Sequence, residues 1–449
     1  MNWNEQQQQA LAKLHAYVNK RDGDGEPFVL AGLAGTGKTT VISACLSEFK
    51  EMGLRIALVA PTGKAAAVLN SKQNSVVAQT IHSLLYGAPL DPDAEIIQHI
   101  ERLEAALDAH NNGSETLSDP EMVKEELQDT SNRAARHLVG RQELQFLPKD
   151  PDEIREFIDL VICDEASMVA PTEVKTIAAL RRPTIYLGDP NQLFPVGYDR
   201  FSVKLDQPTA LLTEIMRQAD GSPILDLSRR ILDSGGLPRG VKNIEGIRTA
   251  MGTNPLPLMR DVNTKCIVYM NRTRRTVSAT VRNSFFADKI DASFPYLPFV
   301  GEKLMVNANR RELGVMKGDE VEITEILRYS GNGPIDKFTA DVAFRDHRGT
   351  IKQMRIWLND LMLTVGHPLG MEKPAYGDKE GFQAFKYNFI ASKQGVDVAF
   401  PYAITCHKSQ GSEWDSVLVF NEGHKSSRQQ YLYTAVTRAR SDLALAGVY

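Results

Sequence analysis

Gly32-Leu33-Ala34-Gly35-Thr36-Gly37-Lys38-Thr39-Thr40 follows directly on the apolar run Phe28-Val29-Leu30-Ala31, and that junction decides the fold class. The apolar run reads as a buried strand, and the glycine-rich turn opening into a helix-forming segment fits G-x-x-x-x-G-K-[ST]. The glycines let backbone N–H groups from Gly35 to Thr40 converge on a polyphosphate. Lys38 supplies a compact positive charge at the β- and γ-phosphates, and the Thr39 hydroxyl is placed to ligand Mg²⁺. The stretch therefore predicts a nucleoside triphosphate site in an α/β protein.

Asp159-Leu160-Val161-Ile162-Cys163 is a second buried-strand run, and it delivers Asp164-Glu165 at its carboxyl end, where ligands sit in parallel sheets. Asp164 is positioned to hold Mg²⁺ together with Thr39. Glu165, pointing differently along the turn, can orient and deprotonate a water for in-line attack. That pairing argues for hydrolysis rather than binding alone.

The chain has 449 residues, 42% of them hydrophobic, which suggests about three domains with ample core. No apolar run approaches the roughly 18 residues that span a bilayer, and the start, Met1-Asn2-Trp3-Asn4-Glu5, lacks a basic segment followed by a hydrophobic one. A cytoplasmic globular protein with no membrane partner is expected. Cys45, Cys163, Cys266 and Cys406 are dispersed, so neither a disulfide framework nor a zinc cluster is suggested. The net charge of −4 argues against coating nucleic acid by bulk attraction, while leaving room for a local basic groove.

Alternating strand and helix signals recur twice, from about Phe28 to Leu187 and from Cys266 to the C-terminus. The predicted strands are 28–31, 55–60, 160–163 and 184–187 in the first half and 266–270, 403–405, 417–420 and 443–446 in the second; only the first half carries a phosphate loop. Each half is interrupted. Residues 88–150 are polar, with a helical patch at 96–109 and a break at Asn111-Asn112-Gly113-Ser114. Residues 298–400 alternate as strands, for example Val321-Glu322-Ile323-Thr324-Glu325-Ile326, and predict a small β-barrel or sandwich.

Five further segments occur in order: Ala60-Pro61-Thr62-Gly63-Lys64-Ala65-Ala66, Thr80-Ile81-His82-Ser83-Leu84-Leu85, Gly188-Asp189-Pro190-Asn191-Gln192-Leu193, His407-Lys408-Ser409-Gln410-Gly411 and Tyr433-Thr434-Ala435-Val436-Thr437-Arg438-Ala439-Arg440. With the phosphate loop they resemble superfamily 1 helicases. Asp164-Glu165-Ala166-Ser167-Met168 and His407-Lys408-Ser409-Gln410-Gly411-Ser412-Glu413 look like the forms of the RecD/Dda-type branch, whose members move 5′ to 3′ on single-stranded DNA. The likeness covers both α/β halves and fails over the insertions. It implies two RecA-like parallel-sheet domains in tandem, with an inserted pin-like subdomain and an inserted SH3-like β subdomain. The expected boundaries are 1–215 for the first domain with a pin or wedge insertion at 86–150, 216–297 plus 400–449 for the second, and 298–399 for the SH3-like subdomain. Tyr86 to Leu90 and Glu143 to Leu147 are the candidate pin strands.

The resemblance also assigns roles. Gln192 reaches the γ-phosphate or the attacking water as a sensor, and Arg217 and Arg438 are arginine fingers for the transferring phosphoryl group. Arg438 comes from the second half, so cleft closure would complete the site. Gln7 resembles the family's adenine-reading glutamine within the run Gln6 to Gln9, and Glu413 the glutamate that binds the nucleotide's sugar. Thr62, Lys64, Thr80, His82, His407 and Lys408 match positions that touch the strand, where contacts to phosphates carry little sequence information. Trp357 and Phe382-Gln383-Ala384-Phe385-Lys386-Tyr387 are further contacts to pin or strand, against the simpler reading that they fill a small barrel's own core. Tyr86 and Trp414 read as packing rather than base stacking. The implied activity is an ATP- and Mg²⁺-dependent DNA helicase acting on single strands and junctions, expected as a monomer with replication or recombination proteins as partners. A superfamily 1 RNA helicase and an ATP-switched DNA clamp without unwinding remain the alternatives.

Overall fold

The computed structural model describes residues 3–20, 23, 25–73, 75–87, 94–114, 116–138, 148–214, 222–292, 297–307, 309–310, 313–328, 339–346, 349–357 and 395–448. These divide into two compact units: residues 1–87, 148–285 and 402–449, and residues 88–147 with 286–401.

The first unit holds both parallel sheets. In the first sheet lie β1 (Phe28–Gly32), β2 (Ile56–Ala60), β3 (Gln79–Thr80), β4 (Leu160–Cys163), β5 (Thr184–Gly188) and β6 (Ala210–Leu212), in the order β3-β2-β4-β5-β1-β6. Every pairing is parallel, with Leu30 opposite Leu187 and Leu58 opposite Ile162. Successive strand residues point to opposite faces. Phe28, Leu30, Leu58, Leu160 and Ile162 pack with Leu14 and Val18 of the helix Glu5–Lys20 on one face, while Val29, Val59, Val161 and Cys163 pack with Ile81 and Leu85 on the other. The sheet is covered on both sides, which is why its four inner strands, β2, β4, β5 and β1, read as apolar runs. The helix Glu5–Lys20 buries Gln7, Ala10, Leu14 and Val18, a spacing of three and four that lays one stripe along the sheet.

The second sheet begins with β7 (Ile247–Ala250) and β8 (Lys265–Val268). The second unit then supplies β9 (Lys303–Val306), β10 (Glu320–Arg328), β11 (Thr339–Arg345), β12 (Ile351–Trp357) and β13 (Val396–Ala399) before β14 (Ala403–Thr405), β15 (Trp414–Phe420) and β16 (Ala439–Ala446) complete the sheet. Its order is β14-β8-β15-β16-β7, again wholly parallel. The two tandem parallel sheets are those expected from the sequence.

In the second unit, β9 to β13 close into a barrel in the order β10-β11-β12-β13-β9, as the alternation over 321–326 foretold. The same unit contains the helices Ala94–Asn111 and Pro120–Leu138, parted at the expected break, where Gly113 has φ 71°. Arg355 holds Asp341 of its own barrel at 2.8 Å and Glu104 of the first of these helices at 3.3 Å, and Arg328 pairs with Asp108. The residues of both insertions thus share one body. Tyr86 forms a single antiparallel bridge to Pro148. The rest of the candidate pin strands, residues 88–90 and 143–147, and the stretch from Phe382 to Tyr387 lie outside the described residues, as does the side chain of Trp357.

All four cysteines are buried and free. Burial pushes the thiols of Cys45, Cys266 and Cys406 up to about 12 and that of Cys163 well above its ordinary value. Among the described residues no helix is long and apolar enough to cross a membrane.

Candidate nucleotide and nucleic-acid site

The phosphate loop leaves β1 at Gly32 and enters the helix Lys38–Glu51 through Gly37, whose φ of 85° suits glycine. A Cβ at Gly37 would also stand 2.8 Å from Gln7 Nε2. Lys38 Nζ donates to the carbonyls of Gly32 at 2.8 Å and Leu33 at 3.0 Å, so the ammonium lies folded across the mouth of the loop. Gln7 is buried and donates to the Thr36 carbonyl at 3.2 Å, whereas Gln6 binds Thr213 and Gln8 binds the Trp3 carbonyl. Within the glutamine run, Gln7 alone reaches the phosphate loop.

Thr39 Oγ1 donates to Asp164 Oδ2 at 3.1 Å, which joins the loop to the end of β4. Asp164 Oδ1 accepts from the Glu165 backbone N–H at 2.8 Å. Glu165 has φ 54° and is one of two non-glycine residues with positive φ among those described, a conformation that costs of order 1–3 kcal/mol and clusters at working sites. Burial pushes its carboxyl above the ordinary value of 4.5, the Asp164 carboxylate adds to the push, and Arg438 and Lys38 oppose it. Beyond β5, buried Gln192 accepts at Oε1 from Ser167 Oγ at 3.4 Å and from Gln410 Nε2 at 3.3 Å.

Arg438 follows the helix Arg428–Val436 and precedes β16, and it is buried. Its guanidinium donates to the carbonyls of Thr434 at 3.0 Å and Ser412 at 3.4 Å and to Thr437 Oγ1 at 3.1 Å. Arg438, Ser412, Glu413 and Arg440 from the second sheet's side line one cleft of about 590 Å³ with Lys38, Thr39, Asp164, Glu165 and Gln192 from the first. Arg440 pairs with Glu413 at 3.5 Å and Asp415 at 3.6 Å, an ordinary surface arginine by comparison. At Gly411, φ 72°, a Cβ would stand 3.2 Å from Ala65 Cβ, so glycine permits the two lobes to close there. Arg217 lies outside the described residues.

The expected strand-contacting residues sit at carboxyl ends of strands. Thr62 follows β2 and caps the helix Gly63–Lys72 by accepting from Ala65 N–H, and Thr80 ends β3 and caps Ile81–Leu85 by accepting from Ser83 N–H, each at 3.1 Å. His82 faces Glu173 at 3.4 Å and stacks on Tyr86 with ring centroids 4.9 Å apart. Lys64 lines the cleft, with Nζ 5.0 Å from the Trp414 ring centroid across the lobes. His407 and exposed Lys408 follow β14; burial holds the His407 imidazole below its usual range, against a hydrogen bond to the Phe194 backbone.

Sequence reading assigned no role to Tyr433, Asp189 or Thr434, which together join the lobes. Tyr433 OH donates to Asp189 Oδ2 at 2.8 Å and accepts from the Ala34 N–H at 3.1 Å, and Thr434 Oγ1 accepts from the Leu193 N–H at 3.0 Å. Their motifs were legible; their pairing across the cleft depends on the tertiary fold.

A family profile described as an AAA domain matches residues 2–245, more than half of the sequence. The chain belongs to that family. A second profile, the UvrD-like helicase C-terminal domain, matches residues 400–446, the part that carries β14 to β16 and Arg438. The resemblance to the RecD-type branch of superfamily 1 helicases is borne out. The chain is 26% identical over 457 residues to the RecBCD enzyme subunit RecD of Mycobacterium tuberculosis, covering 93% of this chain and 66% of that protein. It is 25% identical over 429 residues to the ATP-dependent RecD2 DNA helicase of Deinococcus radiodurans, covering 93% and 46%. It spans 36% of an uncharacterized protein of Methanocaldococcus jannaschii to which it is 24% identical over 471 residues and 92% of its own length. The chain thus spans from about a third to two thirds of these relatives. A Bacteroides Pif1 structure bound to single-stranded DNA shares the fold, with a TM-score of 0.53 and 16% identity, over 100% of this chain and 93% of that one.

Proposed function

We propose that this chain is an ATP-driven DNA helicase that moves 5′ to 3′ along a single strand. The observation that carries the proposal is the shared cleft, in which Arg438 from one lobe faces the phosphate loop, Asp164 and Glu165 of the other. The preference for DNA is supported by likeness to a relative named a DNA helicase and to a Pif1 structure bound to single-stranded DNA; the polarity rests on the resemblance of the motifs to the RecD/Dda-type branch.

In this reading Gln7 reads the adenine, and the backbone from Gly35 to Thr40 cradles the phosphates. Lys38 leaves the Gly32 and Leu33 carbonyls to meet the β- and γ-phosphates. Thr39 Oγ1 and Asp164 Oδ2 are hard oxygen donors already converged to 3.1 Å, and they fit Mg²⁺. Bound there, the ion would neutralise charge developing on the phosphate oxygens. Glu165, its proton affinity raised by burial, takes the proton of the attacking water, Gln192 orients that water, and Arg438 meets the charge on the transferring phosphoryl group, with Arg217 as the second finger. Glu413 holds the sugar.

Thr62, Lys64, Thr80 and His82 on one lobe and His407 and Lys408 on the other would hold the strand's phosphates. Because Lys64 also forms a wall of the cleft, nucleotide-driven closure is felt at the strand. The test is steady-state ATP hydrolysis with and without oligonucleotides. Strong stimulation by single-stranded DNA, absent in Lys38→Ala, is expected; stimulation by RNA alone indicates an RNA helicase, and strand binding with no displacement of a tailed duplex indicates a clamp.

A further inference from the structure

The helix Arg428–Val436 touches the opposite lobe through a hydroxyl whose hydrogen-bonding direction is fixed by its partners. A backbone N–H can only donate and a carboxylate only accept. Tyr433 therefore accepts from the Ala34 N–H, inside the phosphate loop, at 3.1 Å and donates to Asp189 Oδ2 at 2.8 Å. Both residues are almost wholly buried, with 2% of Tyr433 and 1% of Asp189 exposed, so water cannot substitute cheaply for either bond. Asp189 is itself fixed: its Oδ1 accepts from the Asn191 N–H at 2.9 Å, and its carbonyl accepts from the Gln192 N–H at 3.2 Å. One residue along the helix, Thr434 accepts from the Leu193 N–H through its hydroxyl and holds Arg438 Nε through its carbonyl at 3.0 Å.

We propose that Tyr433 is a positioning residue for hydrolysis: the Ala34–Tyr433–Asp189 bridge sets the helix bearing Arg438 in register with the phosphate loop and with the Gln192 turn. The inference rests on the reading of the cleft as an ATP-hydrolysis site. The bridge ties three parts of the site to one hydroxyl, namely the loop that carries the phosphates, the turn that carries Gln192 and the helix that carries the arginine. Tyr433 itself does not line the cleft, and the group it is proposed to position is Arg438, held one residue along the helix by the Thr434 carbonyl.

Tyr433→Phe removes the hydroxyl and keeps the ring in its buried place. The expected result is a fall in DNA-stimulated kcat of between about ten- and a hundredfold, the loss that a misplacement near 1 Å produces, with KM for ATP unchanged. A purely structural role would lower the melting temperature without that split. The deciding comparison is a double-mutant cycle with Arg438→Ala. If Tyr433 acts through Arg438, adding Tyr433→Phe to Arg438→Ala produces no further loss of kcat; independent multiplication of the two losses, or a wild-type kcat in Tyr433→Phe, overturns the proposal. Should Tyr433→Phe fail to fold, Asp189→Asn weakens the same bridge without removing volume, and the same non-additivity with Arg438→Ala is required of it. Failure of the underlying site reading is seen separately, as Arg438→Ala hydrolysing ATP like the wild type.

Discussion

Glu165→Gln keeps the shape and reach of the side chain and removes its charge and its capacity to accept a proton. General-base catalysis is worth about 10²–10⁴ in rate, and each factor of ten is about 1.36 kcal/mol, so the barrier should rise by about 2.7–5.4 kcal/mol. Binding should move the other way. Glu165 lines the cleft beside Asp164, and deleting one of two adjacent carboxylates removes repulsion toward the phosphates, so ATP should bind equally well or more tightly. Stability follows the same logic. Because burial raises the Glu165 carboxyl above 4.5, the folded state holds the proton more tightly than the unfolded chain. The ionised form therefore costs stability above the folded value, a cost relieved as pH falls through it. The variant, with no charge to bury, should melt at the same or a higher temperature at neutral pH. The assay is DNA-stimulated ATP turnover across pH, with nucleotide binding and melting measured on the same samples. Wild-type kcat should fall as pH drops through a midpoint above 4.5, since only the ionised base works, and the variant should lose that limb with most of its activity. A variant within about threefold of wild-type kcat, far short of a base's worth, would refute the assignment.

Lys38→Ala should abolish DNA-stimulated hydrolysis with an unchanged far-ultraviolet circular dichroism spectrum, because the Lys38 ammonium bonds the Gly32 and Leu33 carbonyls of the loop and is no part of the hydrophobic core; full stimulated turnover would reject the phosphate-loop mechanism. Gln7→Ala should reduce the preference for ATP over GTP by up to about tenfold, the worth of one net hydrogen bond, read as the ratio of kcat/KM values for the two nucleotides. Leu30→Ala, at a position 0% exposed in β1, which is paired on both sides, should lower unfolding free energy by about 2–5 kcal/mol in a urea titration; a loss below about 1 kcal/mol would mean the sheet is packed otherwise.

What was legible in the sequence follows from what local pattern encodes. Strands buried on both faces, such as Val161-Ile162-Cys163 and Val417-Leu418-Val419, announce themselves as apolar runs, and the carboxylates, glycines and lysine of the site follow them at short, fixed distances. The edge strands β3, β6 and β7 carry no such signal: Gln79–Thr80 has two residues, Ala210–Leu212 three, and Ile247–Ala250 mixes Arg248 and Thr249 into its run. Pairing, not composition, makes them strands. The second helix of the first insertion, Pro120–Leu138, is obscured in the sequence because its first half is dominated by charged residues, with Glu121, Lys124, Glu125 and Glu126 in close succession. At the site, Gln7 was separable from its neighbours only once helix phase turned it inward, and Lys64 became a wall of the cleft only once Trp414 stood opposite it. Tyr433 is the sharpest case. Its neighbours in sequence say nothing of Ala34, which lies 399 positions away and meets it only because two sheets face each other.

In the proposed function, energy released in the cleft moves a strand across both lobes. That movement is tested most directly by displacement of duplexes that carry a single-stranded tail at only the 5′ end or only the 3′ end, with ATP and with Lys38→Ala as control. ATP-dependent displacement is expected from the 5′-tailed substrate, with little from the 3′-tailed one and none by the variant. Displacement from the 3′-tailed substrate alone, or equal displacement by Lys38→Ala, would contradict the proposed function.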